Sequence, residues 1–501
     1  MDGRFVRFKR RPRPPHIVHA HPPYAGIAAG ALAASLGACA IAPPLPRADV
    51  PVLLDDRPQG IHAISHDVSV IGHRGRLAPQ EREQLLRRVT EQGSGSLVKR
   101  HLAAMSTFGE VDLFAGNDVK LLIDGPETFE AMFAAIEAAK QTILLESYII
   151  EDAAIAQRLA ALLGRKAAEG VKVALIYDAV GSIRTDARYF DNLRQAGVAV
   201  CEFNPVNPAK RRMGYWDITH RDHRKILVVD REVAFTGGIN ISAVYSSGSF
   251  GRQRTRDKVH EDGWRDTTVQ VRGPAALAFD DLVRETWAHQ RCRDTLPSSM
   301  NEALQPLPPK AKPPQQAAGG QVIRVVPASP TDEFNRIYAL LLTAIDASQK
   351  SVYLTMAYFA PGRDMIDALC EAAERGVDVQ LVLPSVSDFT PVLHAGRSYY
   401  DRLLRSGVKL YELQDAVLHA KTAVIDGVVS TVGSSNMDWR SFVGNSEVNA
   451  VIIGEDFGDA MTRMFRRDLE ASQRITKEQW AQRSPLQRAK ESLARLFENW
   501  W

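Results

Sequence analysis

Two histidines, each followed two residues later by a lysine, set the chemistry available to this chain. His223 and Lys225 open the stretch H-R-K-I-L-V-V-D-R-E-V-A-F-T-G-G-I-N, and His419 and Lys421 open H-A-K-T-A-V-I-D-G-V-V-S-T-V-G-S-S-N. Both stretches read H-x-K-x4-D-x6-G-x2-N, so Asp230 matches Asp426, Gly237 matches Gly433 and Asn240 matches Asn436. An internal repeat of this kind organises everything around it. Two imidazoles, two ammonium groups and two carboxamides suit an anionic phosphodiester. The lysines meet its non-bridging oxygens with the amides of Asn240 and Asn436 in support. One imidazole attacks phosphorus and the other protonates the departing alkoxide, then deprotonates the incoming hydroxyl. No acidic cluster is spaced to hold a metal, so we expect neither metal nor other cofactor.

The elements that must carry these groups follow from local pattern. The apolar runs Ile226 to Val229 and Thr422 to Ile425 make each His-x-Lys the start of a strand, with both side chains on one face. Asp426-Gly427 is a hairpin signal, and Asp230-Arg231 holds the same place in the first copy. Each aspartate is therefore read as a turn residue, although it belongs to the repeated motif and so to the candidate catalytic set. Gly237 and Gly433 end the return strands and allow close backbone approach above the histidines. Two acids complete the constellation: Glu447 in N-S-E-V, downstream of His419, and Asp266 in W-R-D, downstream of His223. A carboxylate on the far nitrogen of an imidazole fixes its tautomer. A surface acid at a strand end is the competing reading for Asp266, since Glu261 and Asp262 are close by.

The duplicated motif resembles the phospholipase D superfamily and, more narrowly, the bacterial cardiolipin synthases. The resemblance runs from about residue 115 to 500 and includes Leu144 to Ile150 with its L-E-S-Y-I-I, Gly237 to Asn240, and the tail around Ser484-Pro485-Leu486-Gln487-Arg488. It implies two α/β/α sandwich halves with mixed sheets, related by a pseudo-twofold axis, with one active site at their interface. It further implies phospholipid substrates, phosphatidylglycerol first among them, a phosphohistidine intermediate, and an acid bonded to each catalytic imidazole. His223 is the expected nucleophile and His419 the expected acid/base. Hydrolysis to phosphatidic acid is the alternative, because the motif does not choose the acceptor. An inactive lipid-binding protein is a second alternative, disfavoured by two intact motifs.

Composition narrows the choice. The chain has 501 residues, room for several domains. Its net charge of +3 gives no basic excess of the kind a nucleic-acid channel needs, so a nuclease is disfavoured. Four cysteines, Cys39, Cys201, Cys292 and Cys370, lie far apart without a C-x2-C pair, and suggest neither a zinc site nor a disulfide framework.

Along the chain, residues 1 to 45 read as an export signal. Basic residues precede a weakly apolar run that ends Leu36-Gly37-Ala38-Cys39, which resembles a lipoprotein box with Cys39 as the lipidated residue. This places the protein in a bacterial envelope, lipid-anchored on the periplasmic side, at a membrane surface. Residues 46 to 117 form an extended and helical segment, with a polar helix over Gln80 to Val98. Strand–helix alternation then marks an α/β domain over 118 to 296. It includes strands at Val119 to Ile123, Thr142 to Ile150, Val171 to Tyr177 and Val198 to Phe203. A Pro-rich linker spans 297 to 320, and a second α/β domain spans 321 to 480. The segment before His223 carries Lys210, Arg211, Arg212, Tyr215 and Trp216, either a basic, aromatic wall at the site mouth or an ordinary loop. A C-terminal helix over 481 to 501 sets Leu486, Ala489, Leu493, Leu496, Phe497 and Trp500 on one side, flanked by Arg488, Lys490 and Arg495. Such a stripe packs on the protein's own core or lies among anionic headgroups. The terminal Trp500-Trp501 suits the second arrangement.

Overall fold

Seven strands of each half form the same ladder, and the two ladders fuse into one mixed sheet. The computed structural model describes residues 67–91, 93–108, 111–207, 219–250, 261–292, 304–305 and 318–498. The leader with Cys39, the segment carrying Lys210 to Trp216, most of the linker, and Trp500 and Trp501 lie outside the described residues.

In the first half, Thr142–Ser147 runs parallel to Lys172–Asp178, which runs parallel to Ala199–Phe203. On its other edge Thr142–Ser147 meets the motif strand Lys225–Val229 antiparallel. The ladder continues through Val233–Gly237 and Thr267–Arg272 to Val111–Ile123. The second half repeats this order with Ser351–Met356, Asp378–Pro384, Lys409–Leu413, Lys421–Ile425, Val429–Gly433, Asn445–Ile453 and Gln321–Ala328. The first strands of the two halves, Val111–Ile123 and Gln321–Ala328, pair antiparallel and join the sheet. Antiparallel pairing of equivalent strands is the arrangement a twofold relation produces.

Parallel strands covered on both faces are apolar throughout, and the runs Ile143 to Leu145 and Val173 to Tyr177 are buried. Helices Asp124–Ala138 and Ala154–Ala168 cover the outer face of the first half. Helices Ala276–His289 and Glu455–Glu470 supply Phe279, Trp287, Phe457, Met461 and Met464 to a core shared by strands of both halves. The site therefore rests on one continuous apolar layer.

Several boundaries differ from the pattern-based reading. The first domain strand begins at Val111, not Val119. Its early part pairs with the strand Val68–Gly72 and bends at Gly116, whose φ is 89°, so no clean alternation marks it. The helix expected over Gln80 to Val98 is two helices, Pro79–Glu91 and Gly95–Met105, divided at Gly93 with φ 53°. Cys201 and Cys292 form a disulfide with their Cα atoms 5.7 Å apart, where the cysteine spacing suggested no disulfide framework. Spacing rules do not see a pair separated by 91 residues that the sheet brings together.

Candidate active site

Each motif histidine is held by the opposite half. The His223 amide donates to Ser446 O at 2.9 Å, and the His419 amide donates to Arg265 O at 2.8 Å. Those carbonyls immediately precede Glu447 and Asp266, so the backbone pairing sets each acid beside the other half's imidazole. His223 Nδ1 lies 3.0 and 3.1 Å from the two Glu447 oxygens, and His419 Nδ1 lies 2.7 Å from Asp266 Oδ2. Both acids are fully buried, which removes the surface-acid reading for Asp266. A carboxylate at Nδ1 keeps the proton there and leaves Nε2 with the lone pair.

The acids are themselves positioned. Ser434 Oγ donates to Glu447 Oε2 at 2.5 Å, and Asn445 Nδ2 donates to Oε1 at 3.4 Å. Arg265, buried beside Asp266, donates to both Asp468 oxygens at 2.7 and 2.9 Å and to Asp266 O at 2.5 Å. It pins the acid-bearing strand end to the helix Glu455–Glu470 of the second half. Gly238 clears the space Asp266 occupies: a Cβ there would stand 2.2 Å from Asp266 Oδ1.

Lys225 and Lys421 stand on the same strand face as their histidines. Lys225 Nζ donates to His223 O at 2.6 Å, and Lys421 Nζ donates to His419 O and lies 3.1 Å from His419 Nδ1. An ammonium has three donors, so each lysine keeps capacity for an anionic oxygen. Asn240 Oδ1 accepts from the Ile149 amide at 3.2 Å. Asn436 Oδ1 is buried without a partner among the described residues.

The remaining motif residues serve the scaffold. Asp230 and Asp426 lie at the far ends of the motif strands from the histidines, in turns of positive φ: 53° and 60° for Asp230-Arg231, 55° and 70° for Asp426-Gly427. Asp230 accepts from the amides of Lys140, Gln141 and Thr142 at 2.7 to 2.8 Å. Asp426 accepts from Gln349, Lys350 and Ser351, and from His101 Nε2 at 2.9 Å. Both clamp the hairpin turn, as their reading as turn residues expects. Gly237 and Gly433 also serve packing. A Cβ at Gly237 would lie 2.3 Å from Thr267 O, and one at Gly433 would lie 2.0 Å from Asn449 Oδ1. The close approach is to the neighbouring strand, where the sequence suggested a ligand.

Aromatic residues that pattern reading missed wall the imidazoles. Tyr148 stands edge-on to His223 at 4.9 Å between centroids. Tyr245, Trp264 and Tyr358 surround His419 at 5.9, 5.6 and 6.4 Å, and Tyr245 OH is 3.0 Å from His419 Nδ1. Tyr148, Trp264 and Tyr358 sit in loops and Tyr245 ends the short 3-10 helix Ala243–Tyr245, so no periodicity signals them. Only Tyr148 lay in a stretch the resemblance had marked.

Burial governs the electrostatics. It lowers the His223 pKa well below the ordinary imidazole value, and the charges of Lys225, Lys421, His419 and Arg440 press it further down. His419 is also lowered by burial and by Lys421, but Asp266 and Asp388 oppose the shift. Burial pushes Lys225 down to about 7 against the pull of Glu447, and pushes Glu447 up to about 7 against the pull of Lys225. Lys421 is lowered for the same reason. A dry, cation-rich centre whose amines are both pushed down by burial is completed by an anion.

Comparison with known proteins identifies the family. The family described as "Cardiolipin synthase, PLD-like domain" matches residues 132–248 and 341–469, one segment around each motif. Cardiolipin synthase A of Pseudomonas putida is 34% identical over 398 residues, 79% of this chain and 78% of that protein. Cardiolipin synthase of Halalkalibacterium halodurans is 35% identical over 383 residues, covering 76% and 71% of the two chains. Among solved structures, a phosphatidylserine synthase of Haemophilus influenzae superposes with a TM-score of 0.54 at 14% identity, covering 76% of this chain and 92% of that one, a likeness of fold. The chain belongs to the phospholipase D superfamily, within its cardiolipin synthase family of phosphatidyltransferases.

Proposed function

We propose that this phosphatidyltransferase joins two phosphatidylglycerol molecules into cardiolipin and glycerol through a phosphohistidine on His223. The observation that carries the reading is the crossed pair of histidine–carboxylate contacts, which holds each imidazole by its Nδ1 on an acid of the opposite half, beside the lysine of its own motif. In the first step the His223 Nε2–P bond forms as the P–O bond to glycerol breaks, and the glycerol oxygen takes the Nε2 proton of His419, which is an imidazolium once the diester anion is bound. In the second, the hydroxyl of another phosphatidylglycerol returns a proton to His419 as its oxygen attacks phosphorus and the N–P bond breaks. Lys225 and Lys421 balance the charge on the non-bridging oxygens throughout.

The different electrostatics support this division. His223, surrounded by cations, is held neutral as a nucleophile must be. His419, with Asp266 and Asp388 opposing its depression, is the better proton carrier, and a bound diester anion raises it further. One diester replaces another, so mass action sets the direction. Purified protein with phosphatidylglycerol vesicles should yield cardiolipin and glycerol by mass spectrometry, and added glycerol should reverse the reaction. Phosphatidic acid as the main product, without cardiolipin, would replace this reading with hydrolysis. Activity should persist in EDTA, since lysines carry the charge.

We further propose that the protein works on the periplasmic side of a bacterial envelope, lipid-anchored at Cys39. The Cys201–Cys292 disulfide suits an oxidising compartment. Incorporation of labelled palmitate should be lost in Cys39→Ser; equal labelling of both proteins contradicts the anchor.

A further inference from the structure

The helix Pro485–Leu496 is turned inside out relative to an ordinary packed helix. Its charged Glu491 is 2% exposed and ion-paired to Arg483 Nε at 3.0 Å, and the small Ala494 is 9% exposed. Its large apolar residues face solvent instead: Leu486 is 67% exposed, Leu493 59%, Leu496 78%, and the adjoining Phe497 37%. Among the described residues only one other large hydrophobic is comparably exposed, Ile183 at 63%. Such side chains bunched on one ridge mark an interaction surface. No helix among the described residues is long and apolar enough to cross a membrane, so surface contact is the mode open to this ridge.

The ridge adjoins the reaction centre. Ala494 packs in a small cluster with Ala360, Val392 and Ala395, against which Tyr358 and Phe389 rest. Tyr358 is the residue whose ring stands 6.4 Å from His419. Ile183 has the matching relation to the other histidine: the neighbouring Ser182 Oγ donates to Tyr148 O at 3.2 Å, and Tyr148 stands against His223. The ridge is thus one packing layer from the tyrosine beside His419, and Ile183 follows in sequence the residue bonded to the tyrosine beside His223. Charge completes the match. Arg488, Lys490 and Arg495 are exposed along the ridge, whereas Glu491 is paired inward and Glu498 accepts from Tyr399 OH. An apolar edge with a basic margin complements a layer of acyl chains under anionic headgroups.

We propose that the ridge Leu486, Leu493, Leu496 and Phe497 inserts into the surface of an anionic bilayer and sets the two-histidine centre against the membrane. The docking surface rests on the lipid-substrate reading for its purpose but not for its test. Full-length protein carrying Leu493→Cys is labelled there with nitrobenzoxadiazole and floated with vesicles of phosphatidylglycerol and phosphatidylcholine, or of phosphatidylcholine alone. The label should shift to the blue and be quenched by brominated acyl chains on the anionic vesicles, far less on the neutral ones. The triple variant Leu486→Ser, Leu493→Ser, Leu496→Ser should weaken partition by roughly tenfold or more, since each leucine contributes separately to burial. Its turnover on detergent-dispersed phosphatidylglycerol should be unchanged, and that assay reports failure of the function separately from failure of docking. A label that stays in water on vesicle-bound protein overturns the proposal, as does the absence of binding to anionic vesicles. So does a wild-type dimer that the triple variant dissociates without losing vesicle affinity, which would make the ridge a contact between copies.

Discussion

His223 and His419 descend from the same motif, yet their surroundings are not equivalent. Glu447 meets His223 with both oxygens and is itself held by Ser434 and Asn445, while cations crowd the ring. His419 has one Asp266 oxygen, the Tyr245 hydroxyl and Lys421 at its Nδ1, inside an aromatic ring of Tyr245, Trp264 and Tyr358. Duplication supplied two copies of the same functional groups, and the residues packed around each imidazole made them differ. A symmetric reaction would need no such difference. A displacement in two steps needs one imidazole held neutral and one able to carry a proton.

The acids test this contrast most severely. Glu447→Gln should lower turnover by about 10³-fold or more, because the wrong tautomer turns a proton toward phosphorus. Asp266→Asn should cost less, about 10–10²-fold, because Tyr245 OH still meets Nδ1. Equal losses in a steady-state assay would contradict the asymmetry.

Proton uptake sharpens it next. Lys225, pushed down to about 7, loses its proton above that pH in the free protein. A bound phosphate stabilises the ammonium and raises the value again, so binding should take up protons between pH 7 and the ordinary lysine range. Calorimetry of inorganic phosphate binding at pH 8 should therefore depend on the ionisation heat of the buffer, and less so in Lys225→Met. Heats that match across buffers contradict the account.

The smallest contrast is between the turn clamps. Asp426 is buried and joined by His101, whereas Asp230 is partly exposed. Asp426→Ala should cost about 3 kcal/mol of stability by leaving three amides and a buried imidazole unpaired, and Asp230→Ala about 1 kcal/mol. Denaturant midpoints measure both, and the reverse order would mean that the His101 contact contributes nothing.

What was legible in the chain follows from what local pattern encodes. The H-x-K spacing fixes two side chains on one strand face, and Asp426-Gly427 announces its own turn, so the motif hairpins were readable. Glu447 and Asp266 could be named from their place before apolar strands, but their exchange between halves could not. That exchange depends on the antiparallel joining of Val111–Ile123 to Gln321–Ala328 and on the contacts of Ser446 O and Arg265 O, all long-range. His101 is a lone histidine on a helix and carries no spacing signal. The Cys201–Cys292 pair was invisible for the same reason. The C-terminal stripe was readable as an amphipathic helix, but its periodicity does not say which face is buried. The outward turn of Leu486, Leu493 and Leu496 needed the structure, where Ala494 and Glu491 take the inner face.

The central claim is that phosphorus passes through His223 while His419 moves the proton. A phosphatidyl ester of 4-nitrophenol tests it directly, because that leaving group departs without an acid and the first step no longer needs His419. With this substrate His419→Ala should release one equivalent of nitrophenol in a burst and accumulate a phosphatidyl adduct mapped to His223 by mass spectrometry. His223→Ala should give neither burst nor adduct. An adduct on His419 in His223→Ala, with none in His419→Ala, would reverse the roles assigned to the two halves.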